Sequence, residues 1–364
     1  MAKLYYIKNK DTVLGSFVWE GPIGALYPVL HENKNLPWFI AKSLDSWLAA
    51  RTPPKHREHM KRLLEACGLS GTKDVIDFSK GLSLLDTLWV TPDLSLTWGQ
   101  VNLFENEFDS VIAQIAFDGG LRELQFSPTS LSGEFATDGA LPKCWVREDG
   151  HIRLKKGGTS GASNTGNEPY SECMVSQILD ALGYSHVRYR VEKFRGHVVS
   201  SCDLMTSQKR MLLPMYMYDN FSALGPIVRT CSELGISQNF YEHLIVDYLT
   251  CNTDRHLGNL GLLLDADTYE LVSMAPIYDN GMGMLPLWTP YTPIWKYVNE
   301  LPGTALDASF DTAASIAKHA VGSHGVERLI GFKFDRSQLL DFPEERLRTL
   351  EGFLHARVRS YIEM

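Results

Sequence analysis

The chain has no Lys/Arg-rich block, no Cys-x-x-Cys pair and no apolar run near the roughly 18 residues that a bilayer span needs. The first absence leaves bulk charge with no case for direct nucleic-acid binding. Acidic residues outnumber basic ones 43 to 35, for a net charge of −8. A local basic cleft is still compatible with that balance. The second absence concerns six scattered cysteines, Cys67, Cys144, Cys173, Cys202, Cys231 and Cys251, with no histidine cluster beside them. It argues against a disulfide frame or a zinc site and fits a reducing cytoplasm. The third, with an N-terminus (MAKLYYIKNKD) that lacks the apolar core of a signal peptide, predicts a cytoplasmic protein. No basic patch suited to a membrane surface is present either.

What the chain does have is a globular composition, 44% hydrophobic and 21% charged over 364 residues. That length exceeds one ordinary core and suits two or three domains. The most informative stretch is Thr250–Gly283, TCNTDRHLGNLGLLLDADTYELVSMAPIYDNGMG. Two apolar runs, Leu260–Leu264 and Leu271–Ala275, flank Asp265-Ala266-Asp267 and predict a hairpin. Before the hairpin stand Asp254 and Asn259. After it stands Asp279, followed by Asn280 and Gly281. This set suits phosphoryl transfer from ATP, which needs a carboxylate to deprotonate the acceptor and oxygen ligands for magnesium. Asp254 is the candidate base, and Asn259 and Asp279 are the candidate Mg2+ ligands. Kinases use the same D-x-x-x-x-N spacing followed by Asp-x-Gly. The bland alternative is a polar loop before a hairpin.

Upstream, residues 1 to about 130 read as a scaffold. Lys3–Ile7 and Val13–Trp19 predict a strand pair, and Leu44–Ala50 and Pro54–Cys67 predict helices. Trp89, Trp98, Phe104 and Phe108 are read as packing. A Ser/Thr/Gly-rich stretch follows, in which Thr137, Asp138 and Gly139 form a small-residue turn able to lay N–H groups against phosphates. Ile152, Leu154 and Lys156 alternate on one face of the next strand, so Lys156 is the candidate partner of the α- and β-phosphates. Lys155 points the other way, and the adjacent pair leaves the register open by one residue. An exposed edge strand with two solvated lysines is the alternative.

The helix opening at Asn167 and ending at Gly183 carries Glu172, placed to pair with Lys156. A first-turn glutamate would equally suit the helix dipole. Val187–Phe194 and His197–Cys202 are read as strands turning at Arg195-Gly196. Cys202 to Met205, with Cys202 and Leu204 as adenine contacts, occupies the chain position of a hinge. Phe240–Leu249, Ala313–Val321 and Glu344–Tyr361 predict helices. Thr289, Tyr291 and Thr292 are hydroxyls in a Pro-rich segment where a kinase has its activation segment.

DRHxxN followed by Asp-x-Gly resembles the phosphoinositide-kinase and HipA-like branches of the kinase superfamily. With TDGALPK, LKKGG, NEPYSECMVSQILDALG, NTDRHLGN and PIYDNG, the stretch from about 128 to 364 resembles a HipA-like serine/threonine kinase. GLSLLDTLWV and NLFENEF extend the resemblance toward the N-terminus. It implies an α+β, bilobal protein-kinase-like fold, with a β-rich N-lobe, a helical C-lobe and an α/β N-terminal extension. The expected domains are an accessory region 1–127, an N-lobe 128–205 and a C-lobe 206–364. It further implies that Lys156 holds phosphates, that His256 assists Asp254, and that the substrate is a protein, the chain itself included. Autophosphorylation near the glycine-rich turn is implied too, with Thr137 as the candidate, as is a small DNA-binding antitoxin as partner. Two other functions stay open: a phosphoinositide or small-molecule kinase, and a non-catalytic nucleotide-binding scaffold.

Overall fold

The computed structural model describes residues 3–22, 25–52, 71–108, 141–161 and 164–364, with Leu69 and Phe117. The predicted helix Pro54–Cys67 and the turn residues Thr137, Asp138 and Gly139 lie outside the described residues.

The chain opens with strands β1 (Leu4–Asn9), β2 (Thr12–Glu20) and β3 (Tyr27–Asn33), then helices α1 (Trp38–Lys42), α2 (Leu44–Ala49) and α3 (Thr72–Ser79). Strand β4 (Leu88–Thr91), the one-turn α4 (Trp98–Val101), and strands β5 (Lys143–Glu148) and β6 (His151–Lys156) follow. Next come α5 (Glu168–Leu182), β7 (Tyr189–Phe194), β8 (His197–Asp203), β9 (Arg210–Pro214), α6 (Met215–Tyr218), α7 (Leu224–Glu233) and α8 (Ser237–Thr250). The chain ends with β10 (Gly261–Asp265), β11 (Leu271–Met274), α9 (Ile294–Asn299), α10 (Phe310–Val321) and α11 (Glu344–Glu363).

Two compact units divide these elements. The first comprises Met1–Lys155, Leu204–Leu213 and Leu263–Val272. Its four-stranded sheet runs β3-β2-β1-β4, with β1 antiparallel to β2 and to β4. The β1–β2 turn is tight because Lys10 takes a positive φ of 49°, pairing Asn9 with Thr12. Alternation places Tyr5, Ile7 and Phe17 inside, nearly free of solvent. The aromatic residues of 81–108 pack together: Trp89, Trp98, Leu82, Leu84 and Val101 form a buried cluster, with Phe104 and Phe108 against it. The turn of the β10–β11 hairpin belongs to this unit, where Ala266 accepts from Asn9 at 2.7 Å and Lys10 pairs with Asp267 at 2.6 Å.

The second unit comprises Lys156–Asp203, Pro214–Leu262 and Ser273–Met364. Helix α5 buries Met174, Ile178, Leu179 and Leu182, and Gly183 ends it with a φ of 76°. Asn167 stands at its N-cap position without capping; its side-chain amide donates to the Pro286 carbonyl at 2.9 Å instead. Strands β7 and β8 pair antiparallel around Arg195-Gly196, both at positive φ. Helix α8 is buried almost throughout and packs on α10 and α11. None of the described helices is long and apolar enough to cross a membrane.

Candidate active site

The division between the units falls inside the double lysine. Lys155 belongs to the first unit, where its ammonium pairs with Glu148 at 2.6 Å. Lys156 belongs to the second, where it is buried and meets two carboxylates, Glu172 and, at 2.6 Å, Asp279. Strand alternation sends the neighbours to opposite sides, so their partners differ completely. Burial works against the charge on Lys156, but Asp279 and Glu172 more than offset it and hold its pKa well above the ordinary value. Burial pushes Glu172 up, and Asp279 adds to this against the pull of Lys156. Two carboxylates around one ammonium thus hold Lys156 charged, while burial decides the direction for Glu172.

Glu172 also reaches beyond the lysine. Its second oxygen accepts from the Asn280 N–H at 2.7 Å, which ties helix α5 to the loop carrying Asp279. Asp279 has a positive φ of 52°, in the left-handed region that aspartate enters more readily than most non-glycine residues. Its N–H donates to the Tyr189 hydroxyl at 3.2 Å. Its side chain keeps 32% of its surface exposed, beside a Glu172 that keeps 1%. The carboxylate therefore fronts the group while Glu172 backs it. Four residues after Asp279, Gly283 has no room for a side chain, since a Cβ would sit 2.9 Å from Val175 Cγ2.

The loop after α8 carries the other candidates. Cys251, at φ 52°, ends the helix, and the chain turns through Asn252 to Asp254. The Asn259 side-chain amide donates to the Asp254 carbonyl at 2.8 Å, which fixes the orientation of its own amide oxygen. His256 lies half-exposed with Nε2 4.0 Å from Asp254 Oδ1. Its Nδ1 accepts from the Gly258 N–H at 2.9 Å, so the neutral ring carries its proton on Nε2, toward Asp254. Burial raises the Asp254 carboxyl, His256 draws it down, and Asp279 raises it again. Asp254, Asp279 and Lys156 thus feel one another electrostatically.

Arg255 was not singled out from the sequence, yet it organises this loop. It is fully buried and pairs with Asp247, which is also fully buried. Its remaining contacts are the carbonyls of Asn259 at 3.1 Å and Tyr278 at 2.8 Å and the Asn280 side-chain oxygen. Burial pushes Asp247 up while Arg255 pulls it down. One turn earlier on α8, burial and the Arg255 charge push His243 down to about 3, so it is neutral. The carboxylate of Asp247 inside the apolar run LIVDYL is the sequence signal for a buried cation to meet it. Tyr189 left no comparable signal.

The glycine-rich segment after Lys156 folds onto the start of α5. Glu168, buried, accepts from the Thr159 hydroxyl at 2.6 Å and its N–H at 3.2 Å. A Cβ on Gly158 would sit 2.8 Å from the Gly166 backbone. Of the two hinge residues, Cys202 is buried in β8, its thiol pushed up to about 12 by burial and by Glu172. Leu204 belongs to the first unit, and its N–H is committed to the Ile152 carbonyl at 2.9 Å. Thr289 to Thr292 form a turn with half-buried threonines and Tyr291 93% exposed at its tip.

Among the described residues no group of three or more His, Cys, Asp or Glu forms a metal cage. An Asp279 carboxylate and an oriented Asn259 amide oxygen are nevertheless hard oxygen donors, suited to a magnesium ion that brings phosphate and water ligands of its own.

No family model matches this chain, and no curated protein does. Solved structures do. The Helicobacter pylori proinflammatory kinase CtkA matches 61% of this chain and 90% of its own at 17% identity, with a TM-score of 0.44. HipA of Shewanella oneidensis MR-1, in a complex with HipB and operator DNA, matches 99% of this chain and 98% of its own at 13% identity. Its TM-score is 0.56. At such identity the likeness is one of fold, and nearly the whole of both chains shares it. The chain has the mixed α+β fold of HipA.

Proposed function

We propose that the chain is an ATP- and Mg2+-dependent phosphotransferase, a serine/threonine protein kinase of HipA-like type. The observation that carries this reading is the Lys156 ammonium held between Glu172 and Asp279, with Asp254 close enough to feel their charge. Lys156 spends two of its three N–H donors on those carboxylates, and the third suits a phosphate oxygen. Asp254 takes the proton of the acceptor hydroxyl. His256 presents an N–H toward it and steadies its charged form. Asn259 and Asp279 hold magnesium, which supplies charge neutralisation on the phosphates. Glu172 keeps both Lys156 and the Asn280 backbone in register.

The organisation that goes with this reading is an accessory region 1–127, an N-lobe 128–205 and a C-lobe 206–364. In this reading Cys202 and Leu204 serve as the adenine contacts, and the turn of Thr137, Asp138 and Gly139 serves the phosphates. The HipA structure contains HipB and operator DNA, which extends the proposal to a small DNA-binding antitoxin as partner and to a toxin role. The five cysteines among the described residues are buried and form no disulfide with one another, which supports a cytoplasmic setting.

The test is incubation with radiolabelled ATP and magnesium, beside Asp254→Ala and Asp279→Ala. Label on the wild type alone is expected. ATP binding without label on protein, but with label on an added phosphoinositide, would move the reading to a lipid kinase. Neither ATP binding nor label would leave a scaffold.

A further inference from the structure

We propose that Arg255 is a positioning residue that sets the spacing between Asn259 and Asp279, with Asp247 as its buried counter-charge. The proposal rests on the reading of those two residues as metal ligands. A guanidinium has five N–H donors in one plane. Here all five are used. Nε and one Nη2 hydrogen go to the Asp247 carboxylate, at 3.1 Å each. Both Nη1 hydrogens go to carbonyls, Asn259 at 3.1 Å and Tyr278 at 2.8 Å. The last Nη2 hydrogen goes to Asn280 Oδ1.

Those acceptors are not scattered. Tyr278 and Asn280 flank Asp279 on either side, and Asn259 is the other ligand residue itself. One rigid group therefore grips the backbone of one ligand and both neighbours of the second. They stand twenty positions apart in sequence, with the whole β10–β11 hairpin between them. The remaining contacts agree with this. Tyr278 donates its hydroxyl to the Gly258 carbonyl at 2.7 Å, a second strut between the same two loops. A lysine could not replace Arg255, because a flexible point charge with three donors cannot hold four acceptors in a plane. A guanidinium with no donor to spare and no exposure is also closed to any phosphate. Arg255 therefore acts through the two loops and not on the nucleotide.

The test separates metal from nucleotide. Binding of Mn2+ in the presence of ADP is followed by electron paramagnetic resonance, and ADP binding without metal by calorimetry. Wild type, Arg255→Lys and Asn280→Ala are compared, with melting temperatures recorded. Arg255→Lys is expected to weaken Mn2+ binding by about 10–100-fold, the range for losing a group that orients metal ligands, with metal-free ADP affinity within twofold of wild type. Asn280→Ala leaves the Arg255–Asp247 pair whole, so it carries the test if Arg255→Lys does not fold. It is expected at the lower end, about 10-fold. Equal losses of metal-dependent and metal-free ADP binding, or no loss of Mn2+ affinity in a folded variant, would overturn the proposal. A wild type that binds ADP but no Mn2+ would instead sink the assignment of Asn259 and Asp279 as ligands.

Discussion

Each compact unit contains a buried arginine–aspartate pair, and the two are put to different use. In the first unit Arg51 pairs with Asp86, lies over the Trp47 ring at 4.2 Å, and donates to the carbonyls of Gly81 and Leu88. Every group it touches is scaffold: a helix, a loop and strand β4. In the second unit Arg255 pairs with Asp247 and donates to the loops of Asn259 and Asp279. The pairing chemistry is the same, and neither pair is evidence of function by itself, since a buried ion pair is roughly neutral for stability against apolar replacements. What distinguishes them is where the spare donors go. Around Arg51 they end on buried backbone. Around Arg255 they end beside a carboxylate that is still a third exposed and an amide oxygen that is oriented.

The contrast is broken most sharply at Asp254. Asp254→Ala should lower phosphoryl transfer by about 10²–10⁴-fold, the usual worth of a general base. Its carboxylate is 53% exposed, so the melting temperature should hold. Initial rates with saturating ATP and magnesium check this, and a loss below tenfold would remove Asp254 from the role. The mirror experiment is Arg51→Met. It strands Asp86 in the core and should cost about 3–5 kcal/mol of stability. Urea unfolding followed by tryptophan fluorescence reads it well. Six of the chain's tryptophans, Trp19, Trp38, Trp47, Trp89, Trp98 and Trp145, lie in that unit. Nucleotide binding per folded molecule should not change. If it falls as much as in Arg255→Lys, the two pairs are not functionally distinct.

Tyr189→Phe is a smaller cut. It removes the acceptor of the Asp279 N–H and leaves that donor unsatisfied, at a cost of about 1–3 kcal/mol. The loss should appear both in urea midpoints and in Mn2+ affinity, because the positive φ of Asp279 depends on it. An unchanged Mn2+ affinity would mean that Glu172 and Arg255 hold the loop without Tyr189.

Local pattern made parts of this arrangement readable. Helix α5 announces itself by its apolar spacing and the Gly183 stop, and the β7–β8 turn by Arg195-Gly196. Lys156 and Glu172 could be matched because a strand sends alternate residues to one face and the helix follows directly. Other features depend on contacts between distant residues. Both lysines of LKKGG are buried and paired, and they differ in their partners, Glu148 for Lys155 and Glu172 with Asp279 for Lys156. Asn167 has the sequence of a cap yet reaches for Pro286, 119 residues away. Arg255 reads as one more charged loop residue until its four acceptors are seen together. Tyr189 looks like any strand aromatic, because the N–H it receives belongs to a backbone that no side-chain pattern encodes.

The finest test concerns His256 and is read in pH and not in rate. Asp254 must be ionised to accept a proton, so activity is lost as pH falls through its pKa. Partial burial, with the Asp279 charge beside it, raises that pKa above the ordinary carboxylate value, which places the acid limb of the rate profile higher than for a freely solvated aspartate. His256 opposes the shift by favouring the charged carboxylate. His256→Ala removes that opposition, the pKa climbs further, and the acid limb moves to higher pH. Above the limb the Asp254 base is again fully ionised, so the plateau rate should be much less affected than the limb. Rate against pH at saturating magnesium and ATP resolves the two. A limb that stays in place, or moves down, would show that His256 does not act through the charge of Asp254.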